Sequence, residues 1–226
     1  MGFNIAVDGP SGAGKSTIAK AVAKELGFIY VDTGAMYRAL ALYVLNNHIP
    51  SGDEAAVGRA IEDVSVTIQY ENGVQQVLLN GKNVTGLLRQ EEVGKMASAI
   101  GAYGKVREKL LGLQRELAAS NDVIMDGRDI GTNVLVDAPL KIYLTASVDA
   151  RAMRRYNELM ERGEDDTLEN VKAGIAKRDY DDTHRALAPL RQAEDAVYLD
   201  TSDMDIPQVI RAIINLYHER RTSAWK

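Results

Sequence analysis

The sequence predicts an α/β fold: a parallel β-sheet covered by helices on both faces, with one small antiparallel segment set into the chain. Three observations carry this. Short apolar runs at 3–7, 28–31, 123–125, 141–145 and 197–199 alternate with longer stretches of helical periodicity, the pattern of parallel strands joined through helices. Conspicuously polar segments at 9–16, 32–38 and 126–129 each follow a predicted strand, at the end where such sheets collect ligands. The chain has 226 residues, enough to bury a full core without disulfides or structural metal.

The first apolar run, FNIAV, ends at Asp8-Gly9 and reads as a buried strand. Beyond a glycine-rich loop, Ile18, Val22 and Leu26 recur every four residues, and Gly27 sits where a helix C-cap belongs. FIYV is the second strand. Asp32-Thr33-Gly34 then turns the chain into a helix from 35 to about 47. After Pro50 the character changes. VSVTIQY and VQQVLL flank Asn72-Gly73, a hairpin signal, and Asn80-Gly81 marks another turn, so residues 60–90 form an antiparallel insertion. Helical patterning resumes near Gln90. Val106, Leu110, Leu113 and Leu117 define a core-facing stripe. Strands at 123–125 and 141–145 follow, then an arginine-bearing helix at 151–162, a charged stretch and a helix at 167–182. After a last strand at 197–199, Pro207 opens a final helix whose buried face is Ile206, Val209, Ile210, Ile213 and Tyr217.

Composition excludes several classes. The net charge of -5 argues against a general nucleic-acid or membrane-surface protein. No cysteine is present, so thiol catalysis and cysteine-bound zinc are out. His48, His184 and His218 are scattered and read as surface or helix-end residues. No apolar run reaches the roughly 18 residues of a membrane span, and the N-terminus lacks the features of a secretory signal. The cytoplasm is the expected location.

Gly9, Pro10, Ser11, Gly12, Ala13, Gly14, Lys15 and Ser16 match the phosphate-binding pattern G-x-x-x-x-G-K-[ST] between a strand and a helix. Glycines let successive N–H groups turn toward phosphate oxygens. The helix start adds unpaired N–H groups and a positive dipole end. Lys15 is expected on the β- and γ-phosphates of ATP, and Ser16 on Mg2+, with Thr17 the second choice. Asp126, closing an apolar strand, is the candidate carboxylate for that metal; its alternative is a helix N-cap. The Asp-x-x-Gly and Asn-Lys-x-Asp elements of guanine-nucleotide switches are absent, and motors or transporters are larger. A small-molecule kinase leads. Such an enzyme must hold a second anion beside the γ-phosphate, and arginines serve by planar two-point contacts. Arg38 and Arg128 stand after strands; Arg107, Arg178 and Arg185 are further candidates.

The segments IAVDGPSGAGKSTIAK, VDTGAMYRAL, MDGRDIGT and KRDYDDTHRALAPL together resemble bacterial cytidylate kinases over essentially the whole chain. Thr33 stands where serine is common, which keeps the hydroxyl. The resemblance implies a P-loop sheet of five parallel strands, an NMP-binding region at 35–103 carrying the antiparallel insert, core segments at 1–34, 104–150 and 171–226, and a lid at 151–170. It implies phosphoryl transfer from ATP to CMP or dCMP by a monomer, with Mg2+ as cofactor and no nucleic-acid or membrane partner. Arg38, Arg128 and Arg185, with Thr33 alongside, would hold the CMP phosphate. Ser98, Arg107 and Asp129 would read cytosine, and Arg178 and Asp182 the ribose side. Arg151, Arg154 and Arg155 would close over ATP, the last two as catalytic cations. Kinases of UMP, AMP or shikimate are the alternatives, with Asp32 as base for a hydroxyl acceptor, as is a non-catalytic nucleotide-binding regulator.

Overall fold

A computed structural model describes residues 2–223, so Met1 and residues 224–226, the outermost ends of the expected core segments, lie outside the described residues. In chain order the elements are β1 (Asn4–Asp8), α1 (Lys15–Leu26), β2 (Ile29–Asp32), α2 (Thr33–Asn46), α3 (Glu54–Ala60), β3 (Val66–Glu71), β4 (Val74–Leu79) and β5 (Lys82–Asn83). They continue with α4 (Glu91–Ile100), α5 (Gly104–Ser120), β6 (Val123–Gly127), β7 (Leu140–Thr145), α6 (Val148–Glu161), α7 (Leu168–His184), β8 (Val197–Asp200) and α8 (Ile206–Ser223). Two compact units emerge. One spans Val31–Asn121; the other joins Gly2–Tyr30 to the chain from Asp122 onward.

The second unit is organised by the five-stranded sheet, in the order β2-β6-β1-β7-β8. β1 lies parallel to β6 on one side and β7 on the other, with Val7 opposite both Asp126 and Ile142. From β1 the chain crosses to the edge strand β2, returns to β6 between the two, and then continues on the other side of β1 through β7 and β8, so the loop after β1 occupies the switch point of the topology. Ile5, Val7, Ile124, Ile142 and Leu144 are buried with Ile18 and Val22 of α1 and Val209, Ile213 and Tyr217 of α8. Strands covered on both faces explain why their sequences are apolar runs and not alternations. Phe3 meets the Tyr217 ring edge-on at 4.9 Å, sealing one end of this core.

The first unit is built around α2, whose Met36, Ala39, Leu40, Ala41 and Val44 are fully buried. α4, α5 and β4 pack on it. The antiparallel sheet β3-β4-β5 sets Val66 opposite Leu79 and Glu71 opposite Val74. Both expected turns form with two consecutive positive φ angles, Asn72 at 52° with Gly73 at 76°, and Asn80 at 49° with Gly81 at 78°. This is the handedness that matches strand twist in a two-residue hairpin. The unit extends through α5 to Asn121, beyond the 103 edge drawn from the sequence, because α5 packs against α2.

Three sequence expectations need correction. The helical stretch from Gln90 is broken at 101–103, where the Tyr103 amide closes a tight turn onto the Ile100 carbonyl. In α5 the buried face is Val106, Arg107, Leu110, Gln114 and Ala118. Leu113 and Leu117 are only half-buried, so the stripe is rotated by about one residue. In α8, Ile206 is 53% exposed. It sits at the first helical position, where the Asp205 carboxylate accepts from the Gln208 amide and the Gln208 side chain accepts from the Asp205 amide. That reciprocal cap fixes the helix entry and turns Ile206 outward.

Ile206 and Ile213 of α8 should therefore differ sharply. Ile213→Ala should cost about 2–5 kcal/mol by opening a cavity, whereas Ile206→Ala should stay within about 0.5 kcal/mol of wild type. Urea unfolding of both variants checks this.

Candidate active site

The phosphate loop leaves β1 at Gly9, whose φ is 149° and whose missing Cβ would collide with the Leu144 carbonyl oxygen. Any side chain there would force β1 and β7 apart at their ends. Gly14 closes the loop in the left-handed region, φ 85°, and no side chain caps α1. The first N–H groups of α1 are thus left to a ligand. The Lys15 ammonium is buried and donates to the Pro10 carbonyl at 2.7 Å. The Ser16 hydroxyl donates to Asp126 Oδ2 at 2.8 Å, and the Tyr30 hydroxyl to Asp126 Oδ1 at 2.8 Å. Ser16 reaches Asp126, whereas Thr17 is exposed. A hydroxyl and a carboxylate this close at the loop's end form an oxygen donor set suited to a hard divalent cation.

The loop after β6 carries the second group of polar residues. Arg128 Nε donates to Asp182 Oδ2 at 2.6 Å. Arg185 lies 3.5 Å from Asp129 and donates through Nε to the Ala188 carbonyl at 2.7 Å. Asp129 also accepts from Asn133 at 3.2 Å. Arg178 stands on α7, one turn before Asp182. Residues 130–134 form a widened, π-type helical turn that the sequence reading missed. It is held by Asp8, whose buried carboxylate accepts from the Ile130 and Gly131 amides at 2.8 and 2.7 Å. The phosphate loop and the Arg128–Asp129 loop thus share Asp8, at the end of β1, as an anchor.

The remaining candidates are placed as follows. Arg151 is buried and bonded to the Ser11 and Ala146 carbonyls and to Asp179. Arg154 grips the Thr201 carbonyl at 2.6 Å, and Arg155 pairs with Glu158 near the surface. In the first unit, Thr33 is buried at the start of α2, and Asp32 caps that helix by accepting from Ala35. Arg38 comes within 3.8 Å of Asp32. Asp32, the base a hydroxyl acceptor would need, is thus engaged as a helix cap. Gln75 pins the Asp32 backbone from β4, accepting from its amide at 2.8 Å. Arg107 is buried, donates to the Gly101 carbonyl and lies over the Tyr37 ring; Ser98 is half-buried on α4. The sequence reading missed Asp8, Tyr30, Gln75, Asp179 and Thr201. Only Asp8, a carboxylate closing an apolar strand beside the motif, left a local signal.

Electrostatics follow from burial. Burial pushes the Asp8 carboxyl up from 3.8 to about 6. The two backbone amides and Lys15 pull against that rise, and Asp129 adds to it. Burial, then Arg128, drives the Lys15 ammonium well below the ordinary lysine value, against the pull of Asp126, Asp182 and Asp8. Burial alone would raise Asp182, but Arg128, Arg178 and Arg185 hold it below the usual carboxylate range.

A phosphate-binding loop at the switch point of a five-stranded parallel sheet, with a hydroxyl–carboxylate pair at its end, defines a P-loop nucleotide-binding protein. A gluconokinase from Sinorhizobium meliloti 1021 has the same fold, with a TM-score of 0.52 at 14% identity, covering 99% of this chain and 96% of that one. The model of the Cytidylate kinase family matches residues 5–219. Relatives named cytidylate kinase are 45% identical in Lactobacillus gasseri over 219 residues, covering 97% of this chain and 95% of that protein. Another, in Caldicellulosiruptor saccharolyticus, is 47% identical over 217 residues, covering 96% of each. The chain belongs to the cytidylate kinase family.

Asp8 makes a pH prediction. The folded protein holds its proton to about 6, while the unfolded chain releases it near 3.8. The stability that proton contributes is present below the lower value and lost as pH rises through the higher. Asp8→Asn has no such proton. Its unfolding free energy relative to wild type should therefore rise by about 3 kcal/mol between about pH 4 and pH 7, as measured by urea unfolding across that range.

Proposed function

We propose that the chain transfers the γ-phosphoryl group of ATP to CMP or dCMP, giving ADP and CDP or dCDP. The family match over residues 5–219 carries the reading. The chemistry of the site supports it, because Arg128 and Asp129 after β6, with Arg185 at the end of α7 lying 3.5 Å from Asp129, supply the cations and the carboxylate that an acceptor nucleotide needs.

The acceptor phosphate is already a dianion near neutral pH, its second pKa being about 6, so its oxygen attacks without a general base. The bond from the γ-phosphorus to the bridging oxygen breaks, and charge grows on the ADP leaving group. Lys15 and the loop N–H groups from Ser11 through Thr17 stabilise that charge. Lys15 exchanges the Pro10 carbonyl for phosphate oxygens. Ser16 and Asp126 hold the divalent cation, taken as Mg2+, which neutralises phosphate charge when bound. Arg154 and Arg155 are the proposed cations of the lid.

Arg38, Arg128 and Arg185 hold the acceptor phosphate, with Thr33 beside Arg38. Asp182 fixes the Arg128 guanidinium plane before substrate arrives and, with Arg178, faces the ribose. Asp129 accepts from the cytosine amino group and repels the oxygen that uracil carries at that position; Ser98 and Arg107 complete the base contacts. The reaction belongs to pyrimidine nucleotide metabolism in the cytoplasm, and the working species is a monomer.

A coupled ADP-release assay with CMP, dCMP, UMP, AMP, GMP and shikimate offered separately tests this. Fast turnover with CMP and dCMP alone is expected; equal turnover with another acceptor, or none with any, contradicts it. Asp129→Asn should raise KM for CMP about tenfold or more, the weight of a hydrogen bond to a charged group, and narrow the gap between CMP and UMP.

A further inference from the structure

We propose that Arg151 and Asp179 form a strut that sets the direction of the Ser11–Gly12 peptide in the phosphate loop, and that Arg151 works by positioning this peptide and not as a ligand of ATP. The inference rests on the loop binding ATP and is independent of the acceptor's identity.

Arg151 is 3% exposed, and each of its guanidinium nitrogens is engaged. Nε donates to the Ala146 carbonyl at 2.8 Å, and Nη1 to the Ser11 carbonyl at 2.9 Å and to Asp179 Oδ1 at 3.0 Å. Nη2 donates to Asp179 Oδ2 at 2.6 Å. The pair is a two-point, charge-assisted contact, the strongest and most directional form of such an interaction. Its distinctive feature is the third partner. The described chain has no cis peptide, and in a planar trans peptide the carbonyl and the following N–H point in opposite directions. With the Ser11 oxygen held by Arg151, the Gly12 N–H must face away from the guanidinium. A phosphate loop works only if such N–H groups face the anion.

The backbone supports the same reading. Gly12 has φ 75°, and a Cβ there would lie 3.4 Å from Arg151 Cβ and 3.8 Å from Ile175 Cδ1. The loop rests on α6 and α7 at this residue. Asp179 lies one helical turn before Asp182, which holds Arg128. Through Asp179, α7 therefore supports both the phosphate loop and Arg128. Releasing Arg151 to an ATP phosphate would unpair Asp179 and free the Ser11 carbonyl. Arg155, nearer the surface and paired only locally with Glu158, has no such commitment.

The two roles predict opposite outcomes for Asp179→Asn. If Arg151 is a strut, Asp179→Asn and Arg151→Lys should each weaken MgATP binding about tenfold, and the double variant should be no worse than either alone. The amide resonance of Gly12 should shift in both single variants before any nucleotide is added. If Arg151 is an ATP ligand, Asp179→Asn liberates it. Binding would then stay equal or tighten, Arg151→Lys alone would weaken it, and the Gly12 resonance would not move; that pattern overturns the proposal. Calorimetric titration with MgATP and no acceptor reads affinity, and amide NMR reads Gly12, so a failed acceptor assignment leaves the test intact. Should the asparagine variant not fold, Asp179→Glu keeps the charge, displaces the carboxylate and gives the same comparison.

Discussion

Lys15 carries its ammonium at the head of a parallel sheet with 6% of its surface exposed and a backbone carbonyl as its hydrogen-bond partner. Removing a charge from water in this way is costly unless the surroundings return the lost solvation. Much of the polar architecture of the second unit does this. Asp8, Asp126 and Asp182 pull toward the charged form, while Arg128 pushes against it. The balance leaves a cation held by weak partners, which a triphosphate can take over at little cost in broken bonds. A lysine tied to a carboxylate in a tight ion pair would have to break that pair first.

The same economy runs through the neighbouring residues. Arg128 is oriented by Asp182, Arg151 by Asp179, and the loop at 130–131 by Asp8. Each contact fixes a plane or a peptide before any substrate arrives, which is how a site stabilises developing charge without reorganising. The switch-point topology makes this possible. β1 has parallel neighbours on both sides, so the loops after β1 and β6 emerge side by side, and one carboxylate at the end of β1 can serve both.

Much of this was legible in the residues. The phosphate loop, the alternation of strand and helix, the two Asn-Gly turns and the Gly27 cap follow from local chemistry, since each depends on a few adjacent side chains or a required φ. The five parallel strands were expected from resemblance to cytidylate kinases, whereas their order was not readable from spacing and comes from the structure. Contacts joining distant segments were illegible. Nothing near Asp179 distinguishes it from Asp181, yet one holds a buried arginine and the other pairs with exposed Lys177. The rotated face of α5 escaped because the aliphatic stripe ignored Arg107 and Gln114, which are buried on the same face as Leu110. Ile206 misled because its cap, set by Asp205 and Gln208, outweighs its apolarity.

The central claim is that Lys15 is held in a destabilised state that phosphate relieves. Side-chain NMR of the Lys15 ammonium, titrated with and without MgATP, tests it directly. The account predicts that Lys15 in the free protein loses its proton below the range of the other lysines and moves upward when MgATP binds. An ordinary lysine value in the free protein, unchanged by nucleotide, would contradict it.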